Sequence, residues 1–64
     1  MTKAEAERET LIRWRALPLK DRQTYKQATV FAAKLANELN FVTLGTKERI
    51  IVAWLARDLL ANGQ

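Results

Sequence analysis

The side chains best suited to chemistry in this sequence are a cluster of basic residues, and the chemistry they suit is the binding of phosphate. Five Lys and Arg side chains fall within positions 13–26, opposed by a single carboxylate, that of Asp21. The rest of the chain holds six basic and six acidic residues, so the whole net charge of +4 arises from this segment. Lys and Arg grouped in this way are the side chains that contact nucleic-acid backbones. The sequence therefore predicts an anion-binding surface here.

The same segment lies at the junction of two predicted helices, which strengthens the prediction. Pro18 ends the first helix, because proline pushes the residue before it out of the α region, and a second helix follows. The N-terminus of a helix has free N–H groups and a partial positive charge that attract phosphate. Glutamine can bind adenine, and lysine can reach guanine, in the major groove of DNA. The predicted nucleic-acid-binding residues are Arg13, Arg15, Lys20, Arg22, Gln23, Lys26 and Gln27.

A structural role is the alternative for the same side chains. Arg13 and Arg15 complement the dipole at the end of helix 1, and Glu9 to Arg13 is an i,i+4 pair in the favourable orientation. Arg22 and Lys26 could pair with carboxylates elsewhere in the bundle, and the lysines could form an ordinary solvated face. The charge pattern by itself leaves both interpretations open.

Residues for catalysis or metal binding are scarce. The chain contains no His, Cys or Ser, so disulfides, the usual zinc sites and the commonest nucleophiles are excluded. Histidine is also the side chain that most often titrates near neutral pH. Two glycines are too few for a phosphate-binding loop. We expect no enzymatic activity, no cofactor, no metal site and no small-molecule substrate.

The pattern of apolar residues predicts an all-α fold, a single domain spanning residues 1–64 as a small three-helix bundle. Pro18, Gly45 and Gly63 divide the chain into three segments, and Thr2 with Glu5 forms a capping box at the start of the first. Gly45 is expected to supply a turn after an extended connector, and Gly63 to cap the last helix. The predicted helices span about residues 3–16, 20–40 and 47–62.

Two of these helices have one clear buried face. For helix 1 the predicted core residues are Ala4, Leu11, Ile12 and Trp14. Helix 2 shows a continuous apolar stripe, the clearest helical pattern in the chain. Its members are Tyr25, Ala28, Phe31, Ala32, Leu35, Ala36 and Leu39. On this basis Trp14 and Tyr25 are predicted to be core residues rather than platforms for stacked bases.

Helix 3 has apolar residues on both sides. Ile51, Val52, Leu55 and Leu59 form one face, and a second face lies opposite. We expect this second face to meet another copy of the chain in a homodimer, with Trp as its anchor. Its predicted interface residues are Ile50, Ala53, Trp54, Leu60 and Ala61. The alternative is that helix 3 is clamped between helices 1 and 2 and needs no partner.

Targeting segments are not evident. The N-terminus is polar and acidic, unlike a signal peptide, and the longest apolar run, 50–56, is far too short to span a membrane. We expect a cytoplasmic protein without membrane contact. Residues 32–40 resemble the first helix of a helix-turn-helix, but Thr46 stands where that motif has a hydrophobic residue.

The sequence leads to two hypotheses for function. The first is a small basic DNA-binding or DNA-associated accessory or regulatory protein of the kind found in prokaryotes and mobile elements. It would contact the phosphates of duplex DNA through the junction of helices 1 and 2. The second is a protein–protein interaction module, such as an adaptor, inhibitor or assembly subunit, that uses the second face of helix 3.

Overall fold

The computed structural model describes residues 1–61, and every regular element within them is helical. A short 3₁₀ turn separates the first two of three α-helices. Its bounds are Leu19–Asp21, and the helices are α1 (Lys3–Arg15), α2 (Tyr25–Glu38) and α3 (Lys47–Ala61). The predicted all-helical, three-helix architecture is confirmed. The predicted helix end at Asn62 and the cap at Gly63 lie outside the described residues. None of the three helices is long and apolar enough to cross a membrane.

The predicted capping box at the start of α1 is confirmed. The Glu5 N–H donates to Thr2 Oγ1 at 3.1 Å, and the Thr2 N–H donates to Glu5 Oε1 at 2.8 Å. The hydrogen bond from the Thr2 backbone lowers the pKa of Glu5. Because this pKa is lowered in the folded state, the contribution of the cap to stability is present above the ordinary carboxylate pKa. It is lost as the pH falls through the folded value.

Helix α2 is shorter than predicted at both ends. A second capping box fixes its start, because Thr24 Oγ1 accepts the Gln27 N–H at 3.1 Å. Gln27 Oε1 in turn accepts the Thr24 N–H at 3.1 Å. The prediction of a start at residue 20 is therefore wrong, since the residues after Pro18 form the separate 3₁₀ turn. At the other end Leu39 is extended, with ψ 135°, so the predicted end at residue 40 is also wrong.

Helix α3 is the central element of the bundle and packs against both other helices. Its fully buried residues Ile51 and Leu55 lie in the middle of the core. Lys3 lines the same groove as the first turn of α3, and Arg15 pairs with Asp58 near its end. Helices α1 and α3 therefore run in the same direction. The core is formed by Ala6, Trp14, Ala28, Ala32, Leu35, Leu39, Phe41, Ile51, Trp54 and Leu55.

The buried face of α1 differs from the predicted one. Ala6, Thr10 and Trp14 are fully buried at i,i+4 spacing, and Leu11 is partly buried beside them. Ala4 and Ile12 were predicted to be core residues but are exposed, because the line through residues 6, 10 and 14 is the one that faces the neighbouring helices. Trp14 Nε1 and Thr10 Oγ1 are buried without a hydrogen-bond partner among residues 1–61.

Two aromatic pairs hold the core together. The rings of Trp14 and Phe31 lie 5.4 Å apart between centroids, which joins α1 to α2. The rings of Phe41 and Trp54 lie 5.7 Å apart, which joins the connector to α3. The prediction of Trp14 as a core residue is confirmed. Tyr25 was also predicted to be buried, but it is 63% exposed, because it is the first residue of α2 and lies at the edge of the contact with α3.

The connector between α2 and α3, residues 39–46, has no regular structure. The Lys47 ammonium donates to the Leu39 carbonyl at 3.0 Å and lies 6.0 Å from the centroid of the Phe41 ring. The chain bends at Gly45 as predicted, but the φ of Gly45 lies outside the left-handed region. Apart from Gly45 and its two neighbours in the chain, no residue within 1–61 has an atom within 4 Å of the place a Cβ would occupy. Neither backbone conformation nor packing therefore requires a glycine at this bend.

Candidate anion-binding surfaces

The two arginines at the end of α1 are held by carboxylates of the same chain. Arg13 Nε donates to Glu9 at 2.8 Å, as the i,i+4 spacing predicts, and Arg13 Nη1 donates to Glu38 on α2 at 2.7 Å. The hydrogen bond to Glu9 contributes most to raising the pKa of Arg13. Arg15 Nη2 donates to Asp58 on α3 at 2.6 Å. These two predicted phosphate ligands thus tie α1 to both other helices.

Two more of the predicted residues bind the backbone of the junction. Arg22 Nε donates to the Leu17 carbonyl at 3.0 Å. Gln27 Nε2 donates to the Lys20 carbonyl at 2.8 Å, while its Oε1 accepts N–H groups in the capping box of α2. Gln27 is therefore a positioning residue that fixes the 3₁₀ turn beside the first turn of α2. Its amide cannot read a base while these bonds are formed.

The remaining predicted residues, Lys20, Gln23 and Lys26, are exposed. Lys34 lies eight positions beyond Lys26 on α2, and both lysines line one open groove of about 400 Å³. We call Lys20, Lys26 and Lys34 the α2 lysine edge. None of the three forms an ion pair within the described part of the chain. Asp21 is the one acidic residue that lines the same groove.

The predicted interface residues of α3 divide into two groups. Ala53, Leu60 and Ala61 are exposed and Ile50 is partly buried. Trp54, by contrast, is only 7% exposed, because the connector places Phe41 on its ring. The anchor expected for a partner chain is thus covered from within the molecule.

Sequence reasoning missed a second basic surface, between the start of α1 and the length of α3. Lys3, Arg49 and Arg57 stand around an open groove of about 580 Å³, which we call the α3 groove. Ile50, Ala53 and Trp54 also line it, and Gly45 and Thr46 lie at one end. Within residues 1–61, no carboxylate lines the groove and its three cations form no ion pair. The sequence does contain a pattern that could have predicted this surface. Arg49, Ala53 and Arg57 are spaced at i, i+4 and i+8, and residues with this spacing share one helix face.

Cations, amides and apolar groups make up most of the lining of the two surfaces. No group of three or more acidic side chains within residues 1–61 could hold a metal ion, and Asp21 is the acidic residue on the first surface. Comparison of the chain with protein-family models, curated proteins and solved structures found no match. What the two surfaces offer chemically is the binding of anions.

Proposed function

We propose that this protein binds nucleic acid, most simply duplex DNA, as a small basic accessory or regulatory protein. The observation that carries the proposal is the α2 lysine edge, whose three ammonium groups have no carboxylate partner within residues 1–61. The contact surface therefore differs from the predicted basic segment: it leaves out the arginines at the end of α1 and adds Lys34. Arg13 and Arg15 serve the fold, whereas Lys20, Lys26 and Lys34 supply the phosphate contacts.

The geometry of α2 supports this assignment. Lys26 and Lys34 are two turns apart, which is about 12 Å along the helix axis. Because DNA rises about 3.4 Å per nucleotide along its axis, that distance corresponds to three or four base-pair steps along the duplex axis. Gln27 holds the 3₁₀ turn that carries Lys20 beside the same end of α2. Gln23 is exposed just before the helix, where its amide could contact a base edge.

The salt dependence of DNA binding tests the proposal. Neutralising three phosphates releases their counterions, so log K should fall against log[salt] with a slope of about −2.7. Replacing Lys20, Lys26 or Lys34 singly with Gln should reduce the magnitude of this slope by about one each. The measurement is fluorescence anisotropy of a labelled duplex between low and physiological salt.

A matched control is Arg8→Gln, which removes one charge from an exposed position on α1. This variant should keep the wild-type slope, because Arg8 lies outside the α2 lysine edge. Absence of binding at low salt contradicts the proposal. So does an equal change of slope in Arg8→Gln and in the three lysine variants, because that result shows only a response to net charge.

A protein-interaction module built on α3 is the second candidate, and the α3 groove is the observation in its favour. The homodimer through α3 belongs to this candidate. Its exposed apolar residues are Ala53, Leu60 and Ala61, whereas Arg49 and Arg57 on the same helix would repel their counterparts in a second copy.

The mass in solution decides the homodimer prediction. If α3 pairs with α3, light scattering should give twice the chain mass of 7.3 kDa at high concentration, and Leu60→Glu should restore the monomer. Glu7→Gln, which changes one charge on α1, is the control and should leave the dimer intact. A constant monomer mass up to millimolar concentration contradicts the prediction.

A further inference from the structure

We propose that the α3 groove docks an acidic amphipathic helix of a protein partner. In this arrangement carboxylates of the partner bind Arg49 and Arg57, and an apolar side chain between them packs on Ile50 and Ala53. The proposal concerns a different surface from the α2 lysine edge and does not depend on it.

The charge of the groove specifies an anionic occupant. Lys3, Arg49 and Arg57 surround it. Among residues 1–61 no acidic side chain lines it, and none of the three cations forms an ion pair there. Two of the three are arginines, whose planar guanidinium groups match a carboxylate with two parallel hydrogen bonds. The arginines at the end of α1 already bind carboxylates of the same chain, whereas those of the groove form no ion pair within residues 1–61.

The apolar lining favours a protein over a nucleic acid. A phosphodiester backbone has no apolar group to place on Ile50 and Ala53. Unstacked bases are normally held by an exposed aromatic ring, but the ring of Trp54 is buried against Phe41. A helix with both acidic and apolar side chains satisfies the cations and the apolar lining together.

The dimensions of the groove suit such a helix. Arg49 and Arg57 are eight residues apart, or about 12 Å along α3, so a partner helix can present two carboxylates at the same spacing. Ala53 lies between the arginines and leaves room for a large apolar side chain. At the end of the groove, no residue within 1–61 other than the chain neighbours of Gly45 has an atom within 4 Å of the place a Cβ on Gly45 would occupy, so the groove is open there.

A second copy of this chain fits the groove less well. Its own α3 would bring the same cations against Arg49 and Arg57. Its acidic residues on α1 are partly engaged, since Glu5 binds the Thr2 N–H and Glu9 binds Arg13. The occupant is therefore a different protein.

The test uses a synthetic, terminally blocked helical peptide with two Glu residues eight positions apart and Leu midway between them. Titrated into the isotope-labelled protein, it should shift the backbone NMR signals of the groove, including those of Gly45, Arg49, Ala53 and Arg57. The double variant Arg49→Gln/Arg57→Gln should raise the Kd roughly tenfold, because each ion pair is worth a few-fold in affinity. A peptide with Gln in place of Glu should bind as weakly to the wild-type protein.

The matched control is Lys26→Gln/Lys34→Gln, which removes the same charge from the α2 lysine edge and should change the Kd less than twofold. The proposal is overturned if millimolar peptide shifts no backbone NMR signals, or shifts only those of the α2 lysine edge. It is also overturned if the Gln peptide binds as tightly as the Glu peptide. Duplex DNA added in a separate titration distinguishes the two surfaces. If DNA shifts the NMR signals of the α3 groove and the arginine double variant abolishes those shifts, peptide docking is also overturned. If DNA shifts only the signals of the α2 lysine edge, the result concerns the nucleic-acid proposal alone.

Discussion

Replacement of Trp14 with alanine is expected to remove most of the stability of the protein, so that a large part of the population is unfolded at 25 °C. Trp14 is fully buried, and its ring lies 5.4 Å from that of Phe31. Truncating a buried aromatic residue to alanine costs about 3–5 kcal/mol. A chain of this size rarely has a stability above about 3–5 kcal/mol from its core alone. Far-ultraviolet circular dichroism should show the loss of much of the helix, with no complete cooperative transition in urea.

The control for this prediction is Trp14→Phe. Phenylalanine keeps an aromatic ring against Phe31 and removes the indole N–H, which is buried without a partner among residues 1–61. Loss of that N–H offsets part of the lost volume, so we expect a folded protein with a free energy of unfolding lower by about 1–2 kcal/mol. A cooperative urea transition of Trp14→Ala near the wild-type midpoint would show that α1 contributes little to the core.

The second large effect is expected at the ion pair between Arg15 and Asp58. The Asp58 side chain is only 4% exposed, whereas that of Arg15 is 57% exposed. Arg15→Met removes a guanidinium from a buried carboxylate. Breaking a fully buried pair costs about 3–5 kcal/mol, but water screens the exposed side of this one. We therefore expect the free energy of unfolding to fall by about 2 kcal/mol, measured by urea denaturation.

Two further variants separate this effect from a general loss of charge. Arg13→Met removes ion pairs whose side chains are all about 40% exposed, so it should lower the free energy of unfolding much less than Arg15→Met does. The double variant Arg15→Met/Asp58→Leu should recover much of the loss, because an apolar pair can replace a buried ion pair. If Arg15→Met lowers the free energy of unfolding no more than Arg13→Met does, the burial of Asp58 does not strengthen its ion pair with Arg15.

The features that could be predicted from sequence are those set within one or two helical turns. The capping box of Thr2 and Glu5 and the pair of Glu9 and Arg13 are confirmed because both partners lie on the same short stretch of helix. The same pattern, Thr24 followed by Gln27, was present in the sequence and marks the start of α2. The prediction placed that start directly after Pro18 and missed the 3₁₀ turn in between.

The features that could not be predicted depend on which helix faces which. Arg15 and Asp58 are 43 positions apart, and only the parallel packing of α1 on α3 brings them together. Trp54 is covered by Phe41, which lies in a connector without periodicity. A helical wheel assigns Trp54 to the second face of α3 but cannot show that the chain itself covers it. For the same reason the charge count overestimated how many cations of the junction are free to bind phosphate.

The central position of α3 has a consequence for the synthesis of the protein. Helices α1 and α2 both pack on α3, yet α3 follows them in the chain and therefore leaves the ribosome after both of them. Beyond the contacts of Trp14 with Phe31 and of Arg13 with Glu38, the first two helices have little surface to bury against each other. A nascent chain that has exposed only α1 and α2 thus lacks its core. Folding of this bundle should follow translation of α3 rather than accompany the emergence of each helix.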